Sequence, residues 1–154
     1  MIGPGDKFPE FNLPTNGDEA VSLAELGACV IYAYPKDDTP GCTTEAIEFT
    51  QAINDFRKLG IEIVGISPDP VKKHDKFVDK HNLGIKLISD EEKTLLDAMG
   101  VWVEKSMYGK TYMGVERSTF LIDAEGKILE TWRKVRVKNH VETVLSAART
   151  HFSS

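Results

Sequence analysis

Three short runs limit the fold more than anything else in the chain: "ACVIYAY" at 28–34, "IEIVGIS" at 61–67 and "IKLIS" at 85–89. The first is nearly all apolar, the second reads as a further buried strand, and the third as a short strand. A strand with one wet face alternates polar and apolar residues, so an unbroken apolar run marks a strand covered on both faces. Helix patterns lie between the runs. Ala46, Phe49, Ile53 and Phe56 recur at spacings of three and four, and Gly60 marks the end of that helix. "DPVKKHDKFVDKHNL" reads as a second helix, opened by Asp69 and Pro70, with the proline at a favoured first-turn position. "DEEKTLLDAMG" reads as a third, closed by Gly100. Strands that alternate with helices pair in parallel.

The flanks add antiparallel pieces. "FPEFNLPTNGDEAVSLAEL" reads as a short strand, an Asn-Gly-Asp turn and a second strand. "VWVEKSMYGKTYMGVE" reads as a glycine-bearing loop, and "RSTFLID", "AEG" and "KILETWRKV" form a hairpin. A last helix spans about 138–151, with Val141, Val144, Leu145 and Ala148 on one face. The order β-β-β-α-β-α-β-α-β-β-α predicts an α/β fold, a mixed central sheet with helices on both faces. No repeat, low-complexity tract or linker interrupts the 154 residues, which suit one domain over 1–154.

Net charge is −5 and no basic block stands out, which argues against nucleic acid and anionic membrane as partners. No apolar run approaches the ~20 residues that span a bilayer. The opening "MIGPGDKFPEF" lacks the layout of a signal peptide, so a soluble, cytoplasmic protein is expected. Two cysteines do not make a disulfide framework.

One of those cysteines sits in "YPKDDTPGCTTEAIEF", residues 34–49, at a strand-to-helix junction. Thr39 can cap the helix and Pro40 take its first position, which aims free backbone amides toward the Cys42 sulfur and favours a thiolate. Lowering a thiol from about 8.5 to about 6 requires roughly 3.4 kcal/mol, and a helix end supplies about 2 at best. Asp37, Asp38 and Glu45, close in sequence, push the other way. A cation must therefore come from elsewhere in the fold. Arg117, at the head of "RSTFLID", is the candidate, and Lys36 reads as solvated. A lone cysteine is otherwise an inert small hydrophobe. The residues alone leave both readings of Cys42 open.

Other clusters carry bland readings. His74 and His81 are seven apart in a helix rich in Lys and Asp, and a solvated face is expected rather than a metal site. His140 and His151, bracketing the last helix, receive the same reading. "SPD" at 67–69 turns the chain from strand into helix. Trp102, Tyr108, Tyr112 and Met113 form an aromatic loop that either walls a pocket, meets a partner or packs beneath the chain. "GPG" at 3–5 is too short to cradle a phosphate, and no Ser-His-Asp arrangement can be argued.

The stretch "YPKDDTPGCTTE" resembles the peroxidatic loop of the peroxiredoxins, a Pro-x-x-x-Thr-x-x-Cys pattern carried here by Pro35, Thr39 and Cys42. "GVWVEKSMYGKTYMGVERSTFLID" is similar to a second signature of the bacterioferritin comigratory, or Q-type, subfamily, and "FNLPTNGDEAVSLAEL" to its opening hairpin. The resemblance covers nearly the whole chain. It implies a thioredoxin fold with an N-terminal β-hairpin extension. It implies a thiol-dependent peroxidase acting on hydrogen peroxide and organic hydroperoxides, with Cys42 as the peroxidatic nucleophile. Thr39 and Arg117 then bind the peroxide and hold the thiolate, Pro35 shields the pocket from water, and Glu45 supports. No metal or organic cofactor is required. The implied reductant is thioredoxin, glutaredoxin or glutathione, and the subfamily is often monomeric.

The chain departs from that pattern in one respect. Many Q-type members carry a resolving cysteine five residues after the peroxidatic one, where this chain has Ile47. Others carry it in the next helix, around Phe77 to Asp79, where this chain also has none. Cys29 begins the strand that leads to Pro35, about 20 Å away, and a disulfide needs Cα atoms within about 7 Å. Cys29 is therefore expected to be a buried strand residue, with a bridge to another subunit as the remaining redox route. This leads to a one-cysteine mechanism completed by an external thiol. A thiol-disulfide carrier and a peroxide-sensing holdase are the competing functions.

Overall fold

A computed structural model describes residues 2–152, so Met1 and Ser153–Ser154 of the expected 1–154 domain lie outside it. The three apolar runs become the middle of one five-stranded sheet. They form β3 (Cys29–Ala33), β4 (Glu62–Ser67) and β5 (Lys86–Ser89). The late hairpin supplies β8 (Ser118–Ile122) and β9 (Ile128–Trp132). The order across the sheet is β5-β4-β3-β8-β9. β3 pairs in parallel with β4 and antiparallel with β8, so the expected mixed sheet is present with β3 at its centre.

Alternation along β3 sorts its side chains to the two faces. Val30, Tyr32 and the following Tyr34 join a core with α2 (Pro40–Arg57), α5 (His140–Phe152) and Phe77 of α3 (Val71–His81). Cys29, Ile31 and Ala33 join a second core on the opposite face with Phe8, Val21, and Leu95 and Leu96 of α4 (Thr94–Ala98). Tyr32 stacks on Phe49 with ring centroids 4.7 Å apart. Its ring fits because Gly65 faces it from β4: a Cβ there would lie 2.8 Å from Tyr32 Cζ.

The N-terminal hairpin is β1 (Asn12–Pro14) and β2 (Ala20–Ser22), joined through a 3-10 turn at Asn16–Asp18. The expected second strand stops at Ser22. "LAEL" forms a helical turn, α1 (Leu23–Leu26), because Ser22 and Glu25 make a reciprocal capping box. Three other expectations change. Asp69 does not open α3: Pro70 is the cap residue, and the Asp69 carboxylate is turned inward. The third helix is only Thr94–Ala98, since Lys93 adopts a left-handed φ of 63° just before it. The supposed loop at 101–116 is a second hairpin, β6 (Trp102–Met107) and β7 (Lys110–Val115), closed by Tyr108 and Gly109 at φ 52° and 77°. Two successive positive φ values are the signature of a tight hairpin turn that matches strand twist. No described helix is long and apolar enough to cross a membrane.

Candidate active site

Cys42 is the third residue of α2, one strand-to-helix turn after β3. The first intrahelical bond of that turn runs from the Thr43 amide to the Thr39 carbonyl at 2.8 Å. The amides of Gly41 and Cys42 precede it, so the helix does not use them. Thr39 holds the cap position by its backbone only. Its hydroxyl donates to the Lys36 carbonyl at 2.8 Å and closes the turn before the helix instead of capping it. Pro35 is half-buried two residues beyond β3, and Lys36 is exposed, as the sequence suggested.

Arg117 crosses to this turn from the junction between β7 and β8. Its Nη2 donates to Cys42 Sγ at 3.2 Å and its Nη1 to Glu45 Oε1 at 2.6 Å. Glu45 lies one helical turn beyond Cys42 and is fully buried. Arg117 therefore touches both Cys42, for which the charge argument nominates it, and Glu45, which the resemblance adds as a supporting residue. Gly41 makes room for the guanidinium, because a Cβ there would come within 3.3 Å of Arg117 Nη2.

Burial dominates the electrostatics. It pushes the Glu45 carboxyl up to about 7, against the pull of Arg117. Burial also works against the Arg117 charge, but Glu45 and the Cys42 sulfur outweigh it and the guanidinium holds its proton more tightly. Glu45 Oε2 and the Tyr32 hydroxyl are buried without partners. Tyr32 is pushed well above its ordinary range, first by burial and then by the charges of Glu45 and Cys42.

Sequence reasoning missed two sets of residues near this site. Lys105, on β6, is half-buried, and its pKa is lowered by burial first and then by Arg117. Nothing in a mixed polar stretch marked it. The second set is a polar network beneath the loop. His74 is buried, not solvated: Nδ1 lies 2.6 Å from Asp37 Oδ2 and Nε2 lies 3.0 Å from the Ile88 carbonyl. Asp37 also accepts from the Tyr34 hydroxyl at 2.6 Å, and its amide donates to Asp69 Oδ2 at 2.8 Å. A signal was available, since His74, Phe77 and His81 share one stripe of α3 at spacings of three and four.

His140 is likewise buried, against the expectation of a solvated face. Its Nε2 meets the Thr119 hydroxyl at 2.8 Å, its ring packs edge-on to Phe49 and Trp132, and burial pushes its pKa down to about 4. His151 stays near the surface, 3.7 Å from Glu130. Of the aromatic loop residues, Trp102 is half-buried while Tyr108, Tyr112 and Met113 are exposed on the hairpin, so they do not pack beneath a loop. Cys29 is wholly buried in the opposite core, and burial pushes its thiol up to about 12, with Glu62 adding to the rise. Both cysteines are free. Among the described residues no three His, Cys, Asp or Glu side chains are grouped to hold a metal ion.

Residues 4–131 match the AhpC/TSA family. Peroxiredoxin Bcp of Bacillus subtilis is 47% identical over 147 residues, covering 94% of each chain. A structure of a Xylella fastidiosa PrxQ variant superposes with a TM-score of 0.93 at 36% identity, covering 98% of both chains. A structure of the Xanthomonas campestris bacterioferritin comigratory protein, described for its alkyl peroxide reduction activity, superposes with a TM-score of 0.90 at 41% identity over 99% of this chain and 98% of its own.

Proposed function

The chain belongs to the AhpC/TSA family, within its Bcp or Q-type peroxiredoxin branch, and on that footing we propose that it is a thiol-dependent peroxidase in which Cys42 attacks the peroxide. The observation that carries this reading is the contact between Arg117 Nη2 and Cys42 Sγ at 3.2 Å, with the same guanidinium anchored on buried Glu45. A cation that donates to sulfur favours the anionic nucleophile.

In the first step the sulfur attacks one peroxide oxygen. An S–O bond forms as the O–O bond breaks, the second oxygen departs as hydroxide or alkoxide, and it takes up the proton that the Cys42 thiol gave up on ionising, to become water or an alcohol. Charge moves from sulfur to that departing oxygen. Arg117 and the unused amides of the first turn of α2 can donate to it, and donors fixed in a dry site need no reorganisation at the moment of reaction. The product is a sulfenic acid on Cys42. Hydrogen peroxide and organic hydroperoxides are the substrates, the latter in line with the alkyl peroxide activity described for the Xanthomonas protein.

Cys42 and Cys29 lie in cores on opposite faces of the sheet, and neither the position five residues on (Ile47) nor α3 carries a cysteine. That arrangement supports a one-cysteine cycle, with an external thiol from thioredoxin, glutaredoxin or glutathione reducing the sulfenic acid. The test is peroxide consumption with dithiothreitol, then with each physiological thiol system. Cys42→Ser is expected to abolish turnover. Cys29→Ser is expected to stay within about two-fold of the unaltered protein, since a buried neutral thiol takes no part. A loss in Cys29→Ser as deep as that in Cys42→Ser would refute the one-cysteine cycle.

A further inference from the structure

We propose that His74 is a positioning residue for the chemistry at Cys42, acting through Asp37 on the segment that leads into the first turn of α2. The proposal rests on the reading of Cys42 as the peroxide-reacting group.

His74 has no freedom in its pocket. The Ile88 carbonyl can only accept, so Nε2 carries a hydrogen, and one proton lies between Nδ1 and Asp37 Oδ2. Asp37 is held at three of its own atoms. Oδ2 is tied to His74, Oδ1 to the Tyr34 hydroxyl, and the backbone amide to Asp69 Oδ2. Asp69 is itself fixed: Oδ2 also accepts from the Ser67 hydroxyl at 2.8 Å, and the Asp69 carbonyl accepts from the Ser89 hydroxyl at 2.6 Å. Lys73 stands 4.0 Å from its other oxygen. The network therefore joins the loop at Asp37 to the ends of β3, β4 and β5 and to α3.

Little slack separates Asp37 from Cys42. Asp38 adopts a left-handed φ of 61°, and its carboxylate is bound by Lys80 at 2.7 Å and His81 at 2.9 Å, both on α3. The Thr39 hydroxyl closes back on the Lys36 carbonyl, and the ring of Pro40 fixes the next φ. A displacement at Asp37 is thus passed to the turn that carries Cys42. Stability alone does not call for such a pair. Replacing both partners of a buried hydrogen bond by apolar groups of the same shape is often nearly neutral. What an apolar substitute cannot give is direction: a hydrogen-bonded carboxylate fixes where the loop sits. In-line attack depends on that placement, and a shift of about 1 Å can slow a reaction about 100-fold.

The test uses His74→Gln, Asp37→Asn and the double variant. Two readings are taken on each: single-turnover oxidation of Cys42 by hydrogen peroxide, and alkylation of both cysteines by a bulky maleimide, read by mass spectrometry. Cys29, sealed in the opposite core, reports general unfolding. Each single variant is expected to slow Cys42 oxidation by about 10- to 100-fold and to speed Cys42 alkylation, while Cys29 stays unlabelled. The double variant should be no slower than the slower single, because both substitutions cut the same link. Oxidation within about two-fold of the unaltered protein in both singles would overturn the proposal. So would Cys29 labelling that rises in step with Cys42 in both. Failure of the unaltered protein to oxidise at Cys42 would instead overturn the functional reading on which this one stands.

Discussion

Arg117 divides one planar group between two partners, the Cys42 sulfur at 3.2 Å and the Glu45 carboxylate at 2.6 Å. That division suits a guanidinium, whose donors are fixed in a planar fork on separate nitrogens, better than an ammonium, whose three donors leave one atom. Arg117→Lys is therefore expected to keep a cation near the site but to lose one of the two contacts. The second-order rate with hydrogen peroxide, followed by stopped-flow, should drop about 100-fold or more. A drop of less than about ten-fold would mean that charge alone, without the fork, activates the sulfur. At this scale the sequence was half legible. Its arithmetic showed that a helix end was too weak and that a distant cation was needed. The charge argument counted Glu45 as opposing the thiolate, while the resemblance gave it a supporting role; in the structure its carboxylate anchors the arginine. Burial of Glu45 was the missing fact, and a helix start reading Pro-Gly-Cys-Thr-Thr-Glu carries no apolar stripe to announce which side chain faces inward.

Elements built on buried apolar runs were readable, and so was the N-terminal hairpin with its Asn-Gly-Asp turn; the exposed β6–β7 hairpin was not. β3, β4 and β5 lie where the runs predicted. The β6–β7 hairpin went unread because most of its side chains meet water, so no period-2 pattern survives. Its turn is Tyr108-Gly109, not the Asn-Gly or Asp-Gly that signals a hairpin. α4 was overestimated because "DEEKTLLDA" suits a helix until the left-handed Lys93 breaks it. The hairpin turn yields a prediction of its own. Tyr108 is 97% exposed and holds a positive φ without any burial in return. Asparagine tolerates that conformation better. Tyr108→Asn is expected to stabilise the protein by about 0.5–1 kcal/mol, raising Tm by roughly 1–4 °C. Peroxide consumption with dithiothreitol should not change. An unchanged or lowered Tm would show that the exposed ring is holding the hairpin after all.

Across the whole molecule, the sheet separates two cores, and each of two buried titratable groups on the active-site face resists its charge. Glu45 titrates near 7 against an ordinary 4.5, and His140 near 4 against an ordinary 6.5. The signs oppose each other. Between pH 4.5 and 6.5 the folded chain carries a proton on Glu45 that the unfolded chain has lost, so this group favours folding at low pH and its contribution fades as pH rises through 7. Over the same interval His140 lacks a proton that the unfolded chain holds, so its contribution is complete above 6.5 and is lost as pH falls toward 4. Each group is worth up to about 3 kcal/mol across its window, and together they flatten the stability profile. Glu45→Gln removes one slope and leaves the other. The variant should therefore gain on the unaltered protein by several degrees, roughly 6–12 °C in Tm, between pH 4.5 and pH 7.5. Thermal unfolding of both proteins at the two pH values measures that change directly, since every other titrating group is common to the pair. A gap in Tm that is the same at both values would mean that Glu45 is ionised throughout, with Arg117 overcoming the desolvation that its burial imposes.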